Sequence, residues 1–163
     1  MPFNFQCNYD SHLMKKLTTF VLSGLALSLA LPASAQFAKA EDAIKYRKSA
    51  LFVMGQNFGR VAAMAQGKVP FDAKIAADSA STVEFVSKLP WAGFGPGTDK
   101  GETRAKAEIW SDKAKFDDLA GKMQIETAKL AVAAKSGNLD AMKAAVNSTG
   151  GTCKACHDDF RSK

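Results

Sequence analysis

Histidine and cysteine are scarce in this chain, whose 163 residues include two histidines and three cysteines. Cys7 and His12 lie near the N-terminus, whereas Cys153, Cys156 and His157 lie together in the stretch CKACH. A structural zinc site needs four ligands, and the C-terminal group supplies three. A thioredoxin-like C-x-x-C motif is expected among alternating strands and helices, but no stretch sustains the alternation of a strand. These scarcities disfavour both a zinc protein and a thioredoxin-like oxidoreductase.

The chain also lacks an apolar run long enough to span a membrane. The run over residues 17–31 follows two lysines and precedes an A-x-A tripeptide that ends at Ala35. A membrane span needs ~20 apolar residues, whereas this pattern describes a secretory signal peptide. We predict a signal peptide over residues 14–35, cleaved after Ala35 on export to the periplasm. Residues 1–13 are then an upstream extension, and residues 36–163 form one globular domain without a membrane span.

A concentrated patch of basic residues is missing as well. The chain carries 22 lysines and arginines against 16 acidic residues, a formal net charge of +6, and its lysines are scattered among the acids. Nucleic-acid-binding proteins usually cluster their basic side chains on one face or along one helix. We therefore expect no nucleic-acid partner, and the net charge permits only a mild preference for acidic proteins.

Apolar residues recur at three- and four-residue steps in four segments, which predicts four helices. The first runs from about residue 41 to 67. The second runs from about 71 to 89, and its inward face is predicted to contain Phe71, Ile75, Ser79, Thr82, Val86 and Leu89. Ser111 is a suitable N-cap for the third helix and Asn138 for the fourth, while Gly137 suits the C′ position between them. A long Gly- and Pro-rich connection separates the second and third helices. The pattern predicts an all-α protein, an antiparallel four-helix bundle with that long connection.

The C-terminal residues Cys153, Cys156 and His157 form C-x-x-C-H, the attachment signature of c-type haem. On a helix, steps of three and four residues place all three side chains on one face. Both thiols can then bond one porphyrin edge while the imidazole reaches the iron. A plain disulfide is the ordinary alternative in an exported protein, but it leaves the adjacent His157 unexplained. We expect one covalently bound haem c per chain, with His157 as an axial ligand of the iron.

The second axial position of the iron has few candidate ligands. Because the predicted mature chain contains no other histidine, bis-histidine ligation is excluded. Methionine remains an alternative, although methionines on an apolar stripe are usually core residues; the candidates are Met54, Met64, Met123 and Met142. The inventory favours an iron held by His157 alone, with an apolar pocket on its other side.

Four segments of the chain, in this order, resemble cytochrome c′, the class II c-type cytochromes. They are QFAKAEDAIKYRKSAL from Gln36, LPWAGFGPGT from Leu89, EIWSD from Glu108 and CKACHDDFR from Cys153. The resemblance extends over essentially all of residues 36–163. It implies a four-helix bundle that carries haem c.

The resemblance also implies roles for individual residues around the haem. Leu51 matches the leucine that crowds the vacant face of the iron in many members. Arg47 and Lys48 match polar residues near the haem propionates, where the family often has Arg followed by Gln, so that the lysine departs from the pattern. Arg161 matches an arginine beside the proximal face. Arg104 corresponds to a haem-edge position, in a stretch about two residues longer than in related sequences.

Two functions follow from the resemblance. The protein is expected to transfer electrons to and from redox partner proteins in the periplasm, or else to bind NO or CO at the vacant iron position and so buffer or scavenge NO. Enzymatic, peroxidase-like turnover is disfavoured, since it usually needs a histidine or carboxylate beside the iron. The family also commonly forms homodimers through its first two helices, so a homodimer is expected.

Overall fold

Four long helices form the antiparallel bundle that the sequence predicts. The computed structural model describes residues 36–163, and the predicted signal peptide and upstream extension lie outside them. The helices are α1 (Ala40–Ala65), α2 (Ala73–Val86), the short α3 (Glu108–Ser111), α4 (Lys113–Lys135) and α5 (Leu139–Phe160), and a 3₁₀ helix covers Pro90–Phe94. Each long helix packs against the next along the chain, and α5 packs against α1. Within the described range, no helix is long and apolar enough to cross a membrane.

Side-chain N-caps set the starts of α2, α4 and α5. The side chain of Asn138 accepts a hydrogen bond from the Ala141 N–H, as predicted for the last long helix, and Gly137 follows α4 with a positive φ of 69°. The predicted N-cap at Ser111 is wrong, because Ser111 completes the single turn of α3. Asp112 caps α4 instead, since its carboxylate accepts from the Lys115 N–H. Serine and aspartate are both good N-caps, and sequence alone does not separate two adjacent ones.

The inward face of α2 matches the predicted one only in part: Ser79 and Val86 are buried as predicted, but Ile75 and Thr82 are not. Ile75 is 46% exposed, and Thr82 is only partly buried, with its hydroxyl donating to the backbone oxygen of Asp78. Alanines 76 and 80 are fully buried in their place, together with Val83. The small side chains let α2 approach its neighbours closely, so the buried stripe includes the alanines rather than the larger isoleucine.

Three apolar clusters fill the bundle from one end to the other. The first contains Val61, Leu130 and Met142 and lies where α1 meets α2 and α4 meets α5. The second is built on Met54, Val83, Val86 and Met123, and the third on Ile109, Phe116 and Phe160. Cys153 packs against the second cluster and Cys156 against the third. The C-x-x-C-H motif therefore lies between the middle of the bundle and its aromatic end.

The end of the long connection pairs with the C-terminal tail. Ala105 and Arg161 form an isolated antiparallel β-bridge. Beside it, the Lys106 N–H donates to the Phe160 oxygen at 3.0 Å, and the Ser162 N–H donates to the Arg104 oxygen at 2.8 Å. This pairing fixes the end of α5, the helix that carries the motif, against the connection.

Candidate haem-binding site

A cavity of about 970 Å³ opens between α1, α4, α5 and the long connection. Its size lies near the upper end of the ~300–1,000 Å³ range of ligand and cofactor sites. Most of its wall is apolar or aromatic, and includes Leu51, Met54, Phe58, Val83, Trp91, Phe94, Phe116, Leu119 and Met123. Such a wall suits a large, flat and mostly apolar group.

Cys153, Cys156 and His157 all line this cavity from the last turns of α5, as their spacing predicts. The two cysteines are half-buried free thiols. Burial raises the pKa of Cys153, and burial with the nearby Cys153 and Asp159 raises the pKa of Cys156 to about 11. Both side chains are therefore protonated thiols at neutral pH, positioned to bond one edge of a porphyrin.

The imidazole of His157 lies at the exposed rim of the cavity. Its partial burial lowers its pKa, and the positive charges of Arg161 and Arg104 lower it further, against a weaker opposite effect of Asp158. The ring is therefore neutral at neutral pH, which is the form that binds a metal. The donor set of two thiols and one neutral imidazole on one wall fits a covalently attached haem.

From Leu51 to Phe58, the part of the wall that α1 contributes is apolar. Leu51 is half-buried there, Met54 is buried, and Phe58 packs beside them. Of the four methionines in the helices, Met54 and Met123 line the cavity, whereas Met64 and Met142 belong to the first apolar cluster. The structure thus reduces the possible methionine ligands from four to two.

Arg47 lines the cavity and holds the long connection against α1. Its side chain is only 1% exposed. It donates to the Gly93 oxygen at 2.7 Å, to both oxygens of Thr98 at 2.8 and 2.9 Å, and to the Thr103 hydroxyl at 2.8 Å. These bonds use four of the five N–H groups of a guanidinium, and the group also lies 4.4 Å from the centre of the Phe94 ring. Burial lowers the pKa of Arg47, but an arginine stays charged at any ordinary pH.

Gly93 allows this close approach of the connection to α1. A Cβ atom on Gly93 would lie 2.7 Å from the Ala43 oxygen and 2.8 Å from the Arg47 Cβ. Because the first of these is a backbone atom, a larger residue would displace the connection. Sequence reasoning missed Gly93, Thr98 and Thr103 as partners of Arg47, since they lie about fifty residues away along the chain.

Three further predicted residues surround the mouth of the cavity. Lys48 donates to the Glu102 backbone oxygen at 3.0 Å, and Arg104 donates through Nε to the Ser162 oxygen at 3.0 Å. Arg161 follows α5 directly, and all three side chains are exposed. The structure therefore brings every predicted site residue to one cavity.

A four-helix bundle whose last helix presents C-x-x-C-H to an apolar cavity defines the class of c-type haem proteins built on helical bundles. The family model described as Cytochrome C′ matches residues 42–161. The chain belongs to the cytochrome c′ family. Haem c is accordingly its cofactor, and Cys153 and Cys156 are consistent with covalent attachment.

The similar proteins each match more than three quarters of this chain. Cytochrome c′ from Rubrivivax gelatinosus is 54% identical over 129 residues, which are 78% of this chain and 100% of that protein, and its crystal structure matches with a TM-score of 0.76. Two variants of cytochrome c′ from Alcaligenes xylosoxidans, a nitric oxide complex and a carbon monoxide complex, each match at 44% identity with a TM-score of 0.73. Both matches cover 78% of this chain and 99% or more of the other.

Proposed function

We propose that the protein is a periplasmic haem c protein that transfers electrons through a five-coordinate iron. Cys153 and Cys156 would hold the haem through thioether bonds, and His157 would be the only protein ligand of the iron. The observation that carries this proposal is the cavity itself, which has one imidazole on its α5 wall and an apolar surface on its α1 wall. The haem supplies the redox chemistry when bound.

The exposed rim of the cavity supports electron exchange with other proteins. His157 lies at this rim, and Lys48, Arg104 and Arg161 place positive charge around the mouth. Together with the net charge of +6, these cations would attract acidic redox partners and speed their encounter with the haem edge.

This proposal is tested by the rate of electron exchange between the haem-loaded protein and an acidic redox protein. The rate should fall as ionic strength rises, because salt screens exposed charges. Lys48→Gln should lower the rate at low salt, whereas Lys143→Gln, far from the cavity in the first turns of α5, should leave it unchanged. A rate that depends neither on ionic strength nor on the Lys48 side chain would contradict docking at the cavity mouth.

Binding of NO or CO is the second candidate function. Beyond Arg47 and Lys48, the α1 side chains that line the cavity are apolar, and Leu51, Met54 and Phe58 donate no hydrogen bond to bound oxygen, whereas NO and CO need none. Two of the similar structures are nitric oxide and carbon monoxide complexes. Under this alternative, the protein would buffer or scavenge NO, and Leu51 would limit the size of the ligand.

We propose that the protein is not an enzyme. Among the described residues that line the cavity, the one carboxylate is Glu102, which lies in the connection beside Lys48. General acid–base help at the iron would need such a group on the α1 side. Peroxide should accordingly be consumed no faster by the haem-loaded protein than by free haem, and rapid turnover would contradict the proposal.

We also propose that a second copy of this chain is a partner. Phe52 and Val53 on α1 are 65% and 42% exposed, and Ile75 on α2 is 46% exposed. Burying these apolar side chains against a second copy would remove them from water. Sedimentation should show a dimer that Val53→Glu weakens, and a monomer at micromolar concentration would contradict the pairing.

A further inference from the structure

The carbonyl groups at the end of α5 have an unusual set of partners. The last four carbonyl groups of an α-helix have no N–H donor within the helix. In α5 the His157 oxygen still accepts from the Arg161 N–H at 3.1 Å. The next three carbonyls, of Asp158, Asp159 and Phe160, lie beyond the last internal bond and need donors from elsewhere.

One residue, Lys106, supplies all three donors. Its backbone N–H donates to the Phe160 oxygen, and its ammonium donates to the Asp158 and Asp159 oxygens, each at 3.0 Å. The ammonium also places a positive charge at the negative end of the helix dipole. Lys106 therefore holds the turn of α5 that follows directly on His157.

Two other lysines near this turn contact side chains instead of carbonyls, while Arg104 donates to the Ser162 oxygen, beyond the end of α5. Lys154 pairs with the Asp158 carboxylate, and Lys115 pairs with the Asp159 carboxylate at 3.1 Å. All four side chains are at least 41% exposed, and exposed ion pairs contribute little to stability. Among these cations, Lys106 is the one whose bonds reach the last carbonyls of α5 itself.

We propose that Lys106 is a positioning residue for His157. By capping the last turn of α5, it fixes the direction in which the imidazole meets the haem iron and resists its movement away. The inference rests on the proposed role of His157 as the iron ligand. A helix end without such a cap opens readily, and that opening would break the bond from the Arg161 N–H to the oxygen of His157, the residue directly before the capped carbonyls.

The test compares the haem-loaded full chain with Lys106→Met, which keeps the length of the side chain and removes the ammonium. Amide hydrogen exchange at Arg161, whose N–H donates to the His157 oxygen, reports opening of the turn and should become about tenfold faster. The iron–histidine stretching band of the ferrous protein, seen by resonance Raman, should shift or broaden. Lys106→Arg, which can reach the same carbonyls, should restore the band.

Lys154→Met is the matched control, because it removes a nearby exposed ammonium that contacts only the Asp158 carboxylate. It should change neither the exchange rates nor the band. An unchanged band in Lys106→Met, whatever the exchange rates, would overturn the positioning role. If Lys106→Met does not fold, Lys106→Gln, which can donate to one carbonyl, should give a smaller change of the same kind, and an unchanged band would again overturn it. Failure of the proposed function looks different, because the unmodified ferrous protein would then lack the band.

Discussion

At the scale of single residues, one face of α1 contributes two different parts of the site. Arg47 and Leu51 are four residues apart, so their side chains lie one above the other on the helix. Arg47 reaches across to the connection, and Leu51 faces the cavity with Met54 and Phe58. The same turn of helix therefore both closes the cavity and keeps its wall apolar.

Arg47→Met should destabilise the protein strongly. The change leaves the buried Thr98 carbonyl without its donor and the Gly93 carbonyl with only the longer bond from the Thr98 hydroxyl, at 3.3 Å. An unsatisfied buried group costs about 1–3 kcal/mol. We expect the free energy of unfolding, measured with denaturant, to fall by about 2–5 kcal/mol. Lys48→Met, at the next, exposed position, should change it by less than about 0.5 kcal/mol. Equal stabilities of the two variants would show that Arg47 does not hold the connection.

Leu51→Ala should accelerate CO binding to the ferrous protein. If Leu51 crowds the vacant iron face, a steric contribution of about 1.4 kcal/mol to the barrier already corresponds to a tenfold change in rate. We expect at least about that acceleration in flash photolysis. Leu139→Ala makes the same truncation beside the first apolar cluster, away from the cavity, and should leave the rate unchanged. An unaltered rate in Leu51→Ala would show that another group limits access to the iron.

At the scale of the elements, the sequence predicts those features of the helices that are determined by residues close together along the chain. The helical segments, the cap at Asn138 and the shared face of Cys153, Cys156 and His157 all follow from spacings of three or four residues. The predicted N-cap at Ser111 is wrong, because the start of α4 depends on a turn that packs Ile109 into the third cluster and leaves the next residue, Asp112, as the cap. The network around Arg47 could not be predicted, because its partners are 46 to 56 residues distant.

Asp112→Ala should weaken α4, whereas Ser111→Ala should not. The Asp112 carboxylate accepts the Lys115 N–H, and loss of an N-cap costs about 1 kcal/mol. Ser111 ends α3 and, within the described structure, makes no side-chain cap bond. Thermal unfolding of the two variants should therefore give a lower midpoint for Asp112→Ala alone. The reverse order would restore Ser111 as the cap.

Glycine-to-alanine changes should have opposite effects in α5 and in the connection. An added Cβ at Gly151, in the interior of α5, would meet nothing within 4 Å, so Gly151→Ala should stabilise the protein by about 1 kcal/mol. Gly93→Ala would place a Cβ 2.7 Å from the Ala43 backbone oxygen and should destabilise it. Denaturant unfolding distinguishes the two, and a neutral Gly93→Ala would mean that the connection can shift freely.

At the scale of the whole molecule, the two ends of the bundle have different roles: one is a packed apolar core and the other contains the cavity. The first apolar cluster, at the α1–α2 and α4–α5 turns, closes one end without contributing to the cavity wall, apart from Phe58, which packs at its edge. The second and third clusters form the cavity, and the connection and the C-terminal tail cover the other end. The iron ligand of α5 and the apolar surface of α1 thus belong to different helices that the bundle holds in place.

The central claim is that His157 is the only protein ligand of the haem iron. Absorption spectra of the purified ferric and ferrous protein test it most directly, with Met54→Leu and Met123→Leu as companions because these methionines line the cavity. We predict five-coordinate, high-spin spectra that are the same in all three proteins. A low-spin spectrum with a methionine–iron charge-transfer band, lost in one of the two variants, would contradict the claim.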